Sequence, residues 1–235
     1  MPALTTTQPN EDAVLGALRT VVGDRVVTVL DLGGGTGVYA VPIARDGHRV
    51  EVLDQSNDAL ATLAKRAHAA GVGERVSGRV ADLDHLADTI TPASADVLLC
   101  HRVLEFVDDP AATLAAASLA LTDGGVISVV AANRPGAVIG RVIAGRYDEA
   151  AETLAGVRSP QAGHRFDAAE LTELLETAGL SVLALRGVGL IGALNPAGAS
   201  TPQARALEER LATDPILAQS APLLHVIAGR AGHGS

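Results

Sequence analysis

The chain has 235 residues, a formal net charge of −9, and a composition that is 48% hydrophobic and 19% charged. That apolar content is sufficient for a sizeable core and excludes an intrinsically disordered chain. No apolar run approaches the ~18 residues that cross a bilayer, and the N-terminal residues do not have the pattern of a secretory signal. The sequence therefore predicts a cytoplasmic protein with no membrane partner.

Cysteine and aromatic content limit the kinds of site that the chain can build. Cys100 is the single cysteine, which excludes an intramolecular disulfide and a multi-cysteine metal centre. We expect no metal, because no cluster of His, Cys and Asp stands out in the sequence. The acidic balance and the two tyrosines, two phenylalanines and no tryptophan disfavour general nucleic-acid binding, which needs cations and stacking rings. A small local basic site remains compatible with this composition.

Strand and helix patterns alternate through the first half of the chain, after an N-terminal helix within residues 1–25. The predicted strands span 26–32, 49–53, 75–80, 96–100 and 125–131, and the predicted helices span 36–46, 56–70 and 109–121. Pro42 lies within the first of these helices, where we expect a kink. This alternation predicts an α/β fold with a doubly wound, mostly parallel sheet.

The second half is less regular. Residues 133–165 are predicted to form a lid of two short helices, interrupted at Gly145 and Gly156. Asp167 is expected to cap a helix over 167–178. Strands over 180–188 and 223–228 would complete a sheet of seven strands, with a helix over 203–212 packed on the sheet edge. Because no linker is evident, the sequence predicts a single domain over residues 1–235.

A glycine-rich segment follows the first strand directly. It reads Asp31-Leu32-Gly33-Gly34-Gly35-Thr36-Gly37. A dinucleotide fingerprint that starts at Gly33 would need glycine where Val38 stands, and a Walker loop would need a lysine that the segment does not contain. The remaining pattern is G-x-G-x-G through Gly33, Gly35 and Gly37. A loop that serves only to turn the chain is the alternative.

This spacing, with an acidic residue at the end of the first strand, resembles motif I of class I S-adenosylmethionine-dependent methyltransferases. The resemblance implies a Rossmann-like methyltransferase fold and S-adenosylmethionine as cofactor. It also implies that the acidic residue and the loop glycines form part of the cofactor site. The implied residues are Asp31, Gly33, Gly34, Gly35 and Gly37.

Two further carboxylates stand where this class has them. Asp54 ends the second strand, where an ionised carboxylate can accept hydrogen bonds from both ribose hydroxyls, although it could instead cap the next helix. Asp82 follows the third strand, where the resemblance implies a place beside the adenine, although an N-cap is again the alternative. The predicted cofactor site also includes Gln55, Val80 and Ala81.

The stretch His101-Arg102-Val103-Leu104-Glu105-Phe106-Val107-Asp108-Asp109-Pro110 resembles a narrower family, the tRNA 5-carboxymethoxyuridine carboxyl methyltransferases. Asn133 and the segments 142–148 and 224–228 also resemble that family, so the likeness runs from about residue 26 to 230. It implies that His101 contacts the cofactor. The sequence departs from the family in its short N-terminal segment and in a lysine-free lid segment, 156–164, so the tRNA substrate carries over less well than the fold.

The lid indicates the kind of methyl acceptor. Residues 134–165 contain five arginines and three acidic residues, a pattern that favours an anionic acceptor, although ordinary surface charge is the alternative. We predict His101, Asn133 and Arg165 as catalytic residues, with His164 beside Arg165 in a substrate clamp. His101 is either a cofactor contact or a base, with a purely structural role as the alternative, and a turn role is the alternative for Asn133.

The acceptor and the oligomeric state remain open at this point. A carboxylate acceptor needs only a cationic clamp, whereas a hydroxyl needs a general base. The sequence predicts a methyltransferase for an anionic acceptor, with the carboxylate of a modified tRNA wobble uridine as one candidate. A small-molecule acid or phenol is the other candidate, and a non-catalytic S-adenosylmethionine-binding module is the alternative function.

Overall fold

The order of strands in the sheet follows from the alternation of strands and helices along the chain. A computed structural model describes residues 9–158 and 163–230. Its strands are β1 Thr28–Leu32, β2 Arg49–Asp54, β3 Val76–Val80, β4 Ala95–His101, β5 Leu121–Ala132, β6 Leu180–Val188 and β7 Leu223–Arg230. They form one sheet in the order β3-β2-β1-β4-β5-β7-β6, in which β7 runs antiparallel to both of its neighbours. The predicted seven-stranded, mostly parallel sheet is confirmed.

Helices connect the strands. They are α1 Pro9–Val22, α2 Ala40–Arg45, α3 Asn57–Ala69, α4 Pro110–Ala120, α5 Arg134–Ile143, α6 Tyr147–Leu154, α7 Ala168–Thr177, α8 Leu190–Leu194 and α9 Pro202–Thr213. Two of them, α5 and α6, pack against each other within the segment predicted as a lid, and α9 packs against β6 at the sheet edge as predicted. Within the described ranges, every helix is too short or too polar to cross a bilayer.

The core lies on both faces of the sheet. Leu98 and Leu99 of β4 are both fully buried and point to opposite faces, because side chains alternate along a strand. Leu98 packs with Leu114 of α4 in one cluster, and Leu99 packs with Leu15 of α1 in the other. The strands therefore form a rigid platform, covered on both sides, which fixes the loops at their ends.

The order in which parallel strands are added to the sheet reverses at β1, because β2 and β3 lie on one side of it and β4 and β5 on the other. In open α/β sheets, ligands bind outside the carboxyl ends of the strands at such a switch point. The glycine-rich segment and His101 both lie at this edge. The topology thus places the residues of motif I beside the end of β4.

The first crossover differs from the prediction. The helix predicted over 36–46 begins only at Ala40, because the segment before it forms a turn that ends in Gly37, whose φ is +79°. Pro42 stands in the first turn of α2, where its missing N–H removes no helical hydrogen bond, so the predicted kink was wrong.

The helix α8 was missed by sequence reasoning. It follows Gly189, whose φ is +84°, and its first amides are held by one distant carboxylate. Glu208 of α9 accepts hydrogen bonds from the backbone N–H groups of Gly189, Leu190 and Ile191 at 2.8–2.9 Å. No local pattern predicts a helix whose N-terminus is stabilised from another element.

Candidate cofactor and acceptor site

The glycine-rich loop after β1 is a tight backbone turn. Gly33, Gly35 and Gly37 all have positive φ, at +64°, +54° and +79°, in the left-handed region that favours glycine. A Cβ added at Gly34 would lie 2.3 Å from Oδ2 of Asp31, which is closer than any real contact. The loop backbone therefore passes directly over the Asp31 carboxylate, and side chains are excluded from it.

Asp31 is buried at the base of this loop with an unpaired oxygen. Its residue is only 2% exposed, and Oδ2 has no hydrogen-bond partner within the described chain. Burial and then the charge of Asp54 raise the pKa of Asp31 to about 8. A cationic group bound at this position would supply the missing partner and favour the ionised carboxylate.

Asp54 connects the ends of β1 and β2. Its Oδ2 accepts a hydrogen bond from the Gly35 N–H at 2.9 Å, and its Oδ1 accepts one from the Ser56 N–H at 2.8 Å. Each carboxylate oxygen can accept a further hydrogen bond, so the capping of the next segment and the predicted ribose contact are compatible. Gln55, which follows Asp54, is exposed.

The loop after β3 reaches the same edge of the sheet. The N–H of Ala81 donates to the Asp54 carbonyl at 3.1 Å, so this loop lies beside the end of β2. Val80 is 51% exposed, an apolar surface that a flat base could cover. Asp82 caps the short 3-10 turn Leu83–Asp88 and lies 3.0 Å from Nδ1 of His85, whose hydrogen bond lowers the pKa of Asp82. The structure therefore shows Asp82 as an N-cap, which is the alternative to the predicted place beside the adenine.

His101 ends β4 with a buried ring. Its Nε2 lies 2.9 Å from Oγ of Ser128, and its ring meets the Tyr39 ring edge to face at a centroid distance of 4.4 Å. Burial, followed by the neighbouring His225, lowers the pKa of His101 well below its usual value. The imidazole is therefore neutral at physiological pH, which suits either of the two predicted roles, cofactor contact or base.

Arg102, directly after His101, is a site residue that sequence reasoning missed. Its φ of +60° is uncommon for a residue other than glycine and costs conformational energy, which is a frequent mark of functional positions. Its Nε donates to Oε1 of the buried Glu105, which also accepts the N–H of Ala132 at 2.8 Å. Its position next to the strand-end His101 was the signal that could have identified it.

Three arginines converge above this edge. The pKa of Arg165 is lowered by partial burial and then by the positive charges of Arg141 and Arg102. Among the described residues, the Arg165 guanidinium has no ion pair, and the buried Nε of Arg141 has no hydrogen bond, although it lies 3.8 Å from a Glu149 carboxylate oxygen. Repulsion among these cations is relieved when an anion binds between them. We name Arg102, Arg141 and Arg165 the arginine cluster.

The remaining lid arginines already have hydrogen-bond or ion-pair partners. Arg134 forms ion pairs with Asp167 and Glu170, while Arg146 lies 3.3 Å from the Glu149 carboxylate. Arg158 donates to a backbone carbonyl at 3.0 Å. The positive lid predicted from composition is therefore a local feature around Arg165 rather than a uniformly basic surface.

Two other predicted acceptor residues hold the structure together. Asn133 is buried, and its Nδ2 donates to the carbonyls of Gln219 and Ala221, both at 2.7 Å, which corresponds to the turn role that sequence reasoning kept open. The ring Nε2 of His164 lies 2.8 Å from the Glu170 carboxylate, and the backbone N–H of His164 donates to the Glu105 carbonyl. The Asn133 Nδ2 and the His164 ring thus already have partners, while Oδ1 of Asn133 is buried without one among the described residues, and of the two predicted clamp residues only Arg165 lacks an ion pair there.

Comparisons with known proteins identify the class of fold and site. Residues 9–185 match a family described as a methyltransferase domain. A tRNA 5-carboxymethoxyuridine methyltransferase from Escherichia coli K12 is 31% identical over 170 residues, which cover 71% of this chain and 64% of that protein. A ubiquinone biosynthesis O-methyltransferase from Idiomarina loihiensis is 36% identical over 106 residues, which cover 45% of this chain and 42% of that protein. The chain thus spans less than two thirds of the length of these relatives.

Solved structures share the fold at low sequence identity. A methyltransferase from Mesorhizobium loti, described as S-adenosylmethionine dependent, has a TM-score of 0.65 and 21% identity and covers 95% of this chain and 100% of its own. The cyclase SpnF has a TM-score of 0.67 and 20% identity and covers 94% of this chain and 81% of its own. Because a cyclase shares this fold, the fold alone does not determine the reaction.

Proposed function

Because this chain belongs to the methyltransferase-domain family, we propose that it transfers the methyl group of S-adenosylmethionine to an anionic acceptor held by the arginine cluster. The family match confirms the class I S-adenosylmethionine-dependent methyltransferase resemblance drawn from motif I, together with the cofactor of that class. The acceptor and the activity of the whole protein are the proposal.

The residues at the carboxyl edge fit S-adenosylmethionine. This cofactor carries an ammonium group and a ribose diol, and its sulfonium supplies an electrophilic methyl group. The unpaired, buried Oδ2 of Asp31 suits a cation, and the Gly34 backbone lies directly against that carboxylate, where a Cβ would collide with it. Asp54 would hold the ribose hydroxyls, and the exposed Val80 would cover one side of the base. These residues bind and orient the cofactor and take no part in bond making.

The arginine cluster is the single observation that supports an anionic acceptor. Arg165 is the member without an ion pair among the described residues, and Arg102 and Arg141 add positive charge beside it. A carboxylate acceptor is already a nucleophile at neutral pH, so the protein needs only to orient it and to exclude water. Orientation of this kind contributes roughly 7–11 kcal/mol to lowering a barrier. We expect helices α5 and α6, in the segment predicted as a lid, to cover the bound acceptor and limit the entry of water.

A carboxylate on a tRNA nucleoside is the first candidate acceptor, since the Escherichia coli relative is described as acting on tRNA. A small-molecule acid or phenol is the second, supported by the ubiquinone O-methyltransferase relatives and by the net charge of −9, which opposes binding of a large polyanion. A phenol would require a base, for which the neutral His101 ring is available.

Incubation with methyl-labelled cofactor and separated tRNA and small-molecule fractions tests the proposal. We expect one fraction to accept the label, and Arg165→Gln to reduce that labelling while S-adenosylhomocysteine still binds. Arg210→Gln, an exposed arginine on α9, serves as the matched control. Labelling of neither fraction by a protein that binds the cofactor would favour the non-catalytic binding module. A steep loss of tRNA labelling between low and moderate salt would support the tRNA candidate.

A further inference from the structure

A buried hydrogen-bonded trio crosses three strands behind His101. The Nε2 of His101 on β4 lies 2.9 Å from Oγ of Ser128 on β5, and that same Oγ lies 2.8 Å from Nε2 of His225 on β7. The three residues are 8%, 0% and 2% exposed. The two imidazole rings are nearly perpendicular, with centroids 6.2 Å apart. One hydroxyl group thus joins the end of β4 to β7.

Both imidazoles in the trio are neutral. Burial lowers the pKa of His101 well below its usual value, and burial together with the charge of Arg186 lowers the pKa of His225 to about 4. Arg186 lies beside His225 on β6 and pairs with Glu209 at 2.8 Å, so a cation faces the far end of the trio. Each ring therefore carries a single proton, on one of its two nitrogens.

The number of protons in the trio links the tautomer of one imidazole ring to the tautomer of the other. Ser128 has one hydroxyl proton, which it donates to one Nε2, and its oxygen accepts a proton from the other Nε2. The two rings must then hold opposite tautomers, one protonated on Nε2 and the other on Nδ1. The Nδ1 of His101 has no hydrogen-bond partner among the described residues. Whether that nitrogen is a donor or an acceptor is consequently decided by Ser128 and His225.

We propose that Ser128 and His225 are positioning residues, which fix the tautomer and ring orientation of His101 and thereby the site that contacts the cofactor. This inference rests on the proposed function, in which His101 is a cofactor contact. The packing of Tyr39 against the His101 ring limits rotation from one side, and the Ser128 hydroxyl holds it from the other. Partners that orient a functional histidine through its second nitrogen have a comparable role in metal sites.

His225, at the β7 end of the trio, is a suitable position for a substitution. His225 borders a cavity of about 680 Å³ that is also lined by residues of α1, α8 and α9. A change at His225 therefore alters the hydrogen bond to Ser128 with less repacking than a change in the fully buried centre of the sheet. Ser118, a buried serine of α4 that donates to the Ala115 carbonyl, provides a matched control away from the trio.

The first test is the tautomeric state of the wild-type protein. Long-range ¹H–¹⁵N NMR spectra of the histidine side chains should show opposite neutral tautomers at His101 and His225. The same tautomer on both rings, or a protonated ring at pH 7, would overturn the inference. This measurement does not depend on the stability of any variant.

The second test is calorimetric binding of S-adenosylhomocysteine. We expect Ser128→Ala and His225→Phe each to weaken binding about tenfold, because a buried ring nitrogen loses its partner, whereas Ser128→Thr stays within about twofold. Ser118→Ala should leave binding unchanged. A merely structural role would lower the unfolding temperature without this selective loss and without rescue by threonine.

His101→Phe separates the failure of this inference from the failure of the proposed function. If His101→Phe weakens binding while Ser128→Ala and His225→Phe do not, the positioning role is wrong and the cofactor contact stands. If His101→Phe binds S-adenosylhomocysteine as the wild type does, the cofactor contact itself is wrong. A wild-type protein that fails to bind would contradict the proposed function.

Discussion

The two halves of the carboxyl edge are built by different means. The half formed by the loops after β1, β2 and β3 depends on contacts between successive strand ends, such as the Gly35 N–H on Asp54, 19 positions away, and the Ala81 N–H on the end of β2. The lid half depends on contacts across longer stretches of chain, such as Asn133 to Ala221, 88 positions apart. The comparison teaches that a cofactor cradle can be built from successive strand-end loops, whereas the lid half is assembled from more distant segments.

The two halves also differ in the charged groups that they contain. In the loop half, Asp31 is buried with an unpaired oxygen, and its raised pKa keeps it protonated until a bound cation favours the ionised form. In the lid half, Arg134 and Arg146 are ion-paired, whereas Arg165 has no ion pair among the described residues. This contrast matches the cationic cofactor and the anionic acceptor that we propose. Four measurements could break or sharpen this contrast.

The largest effect is expected at Gly34. A Gly34→Ala Cβ would lie 2.3 Å from Oδ2 of Asp31, so the loop must move away from the position that the cofactor requires. We expect S-adenosylhomocysteine binding to weaken about a hundredfold by calorimetry, at the upper end of the cost of overpacking. Gly16→Ala in α1, where nothing lies within 4 Å of the new Cβ, is the control and should bind normally.

The second-largest loss of cofactor affinity is expected for Asp54→Ala. It removes the acceptor of the Gly35 and Ser56 amides and the proposed ribose contact, so we expect roughly 30-fold weaker cofactor binding. Asp58→Ala, an exposed carboxylate in the first turn of α3, is the matched control. Unchanged affinity in Asp54→Ala would show that the loop half does not hold the ribose.

Arg165→Gln tests the lid half by itself. Loss of this guanidinium should raise the KM for the labelled acceptor about tenfold and leave cofactor affinity within twofold, because a charged hydrogen bond to the acceptor is lost. A loss of cofactor affinity instead would place Arg165 in the loop half of the site. Steady-state kinetics and calorimetry distinguish the two outcomes.

The last measurement concerns stability and its dependence on pH rather than affinity. Because the pKa of Asp31 rises from 3.8 to about 8 on folding, the folded state holds a proton that the unfolded state has lost between those values. The free energy of unfolding of the unliganded protein should therefore fall as pH rises through this window, by at most about 1.4 kcal/mol per pH unit, and level off above it. Asp31→Asn should remove this contribution. A denaturation series at pH 5, 6.5 and 8 measures the slope, and identical slopes in both proteins would contradict the assignment.

Much of the fold could be predicted because its signals are local. Ser56, Asp109 and Asp167 each cap a helix through an N–H three residues ahead, as the sequence indicated. Positive φ at Gly145 and Gly156 ends the lid helices at the predicted places. A cap or a left-handed glycine needs only its immediate neighbours, so its effect is visible in the sequence.

The site was predicted unevenly for the same reason. Asp31, Asp54 and the glycines lie together at one edge because parallel strands bring their carboxyl ends together. Arg102 escaped notice, since its residue type does not indicate a left-handed backbone and only its position next to His101 pointed to it. Ser128 and His225 escaped because they are 97 positions apart and meet only when β5 pairs with β7.

The sequence by itself determined the alternation of strands and helices, the glycine-rich turn and the carboxylates that follow the strands. These depend on hydrophobic periodicity and backbone preference, which operate over a few residues. Only the tertiary structure decided which arginines remain unpaired, which histidines share a hydroxyl, and which carboxylate is buried without a partner. Such properties depend on desolvation and on distances between groups far apart in the chain, and these exist only once the sheet has formed.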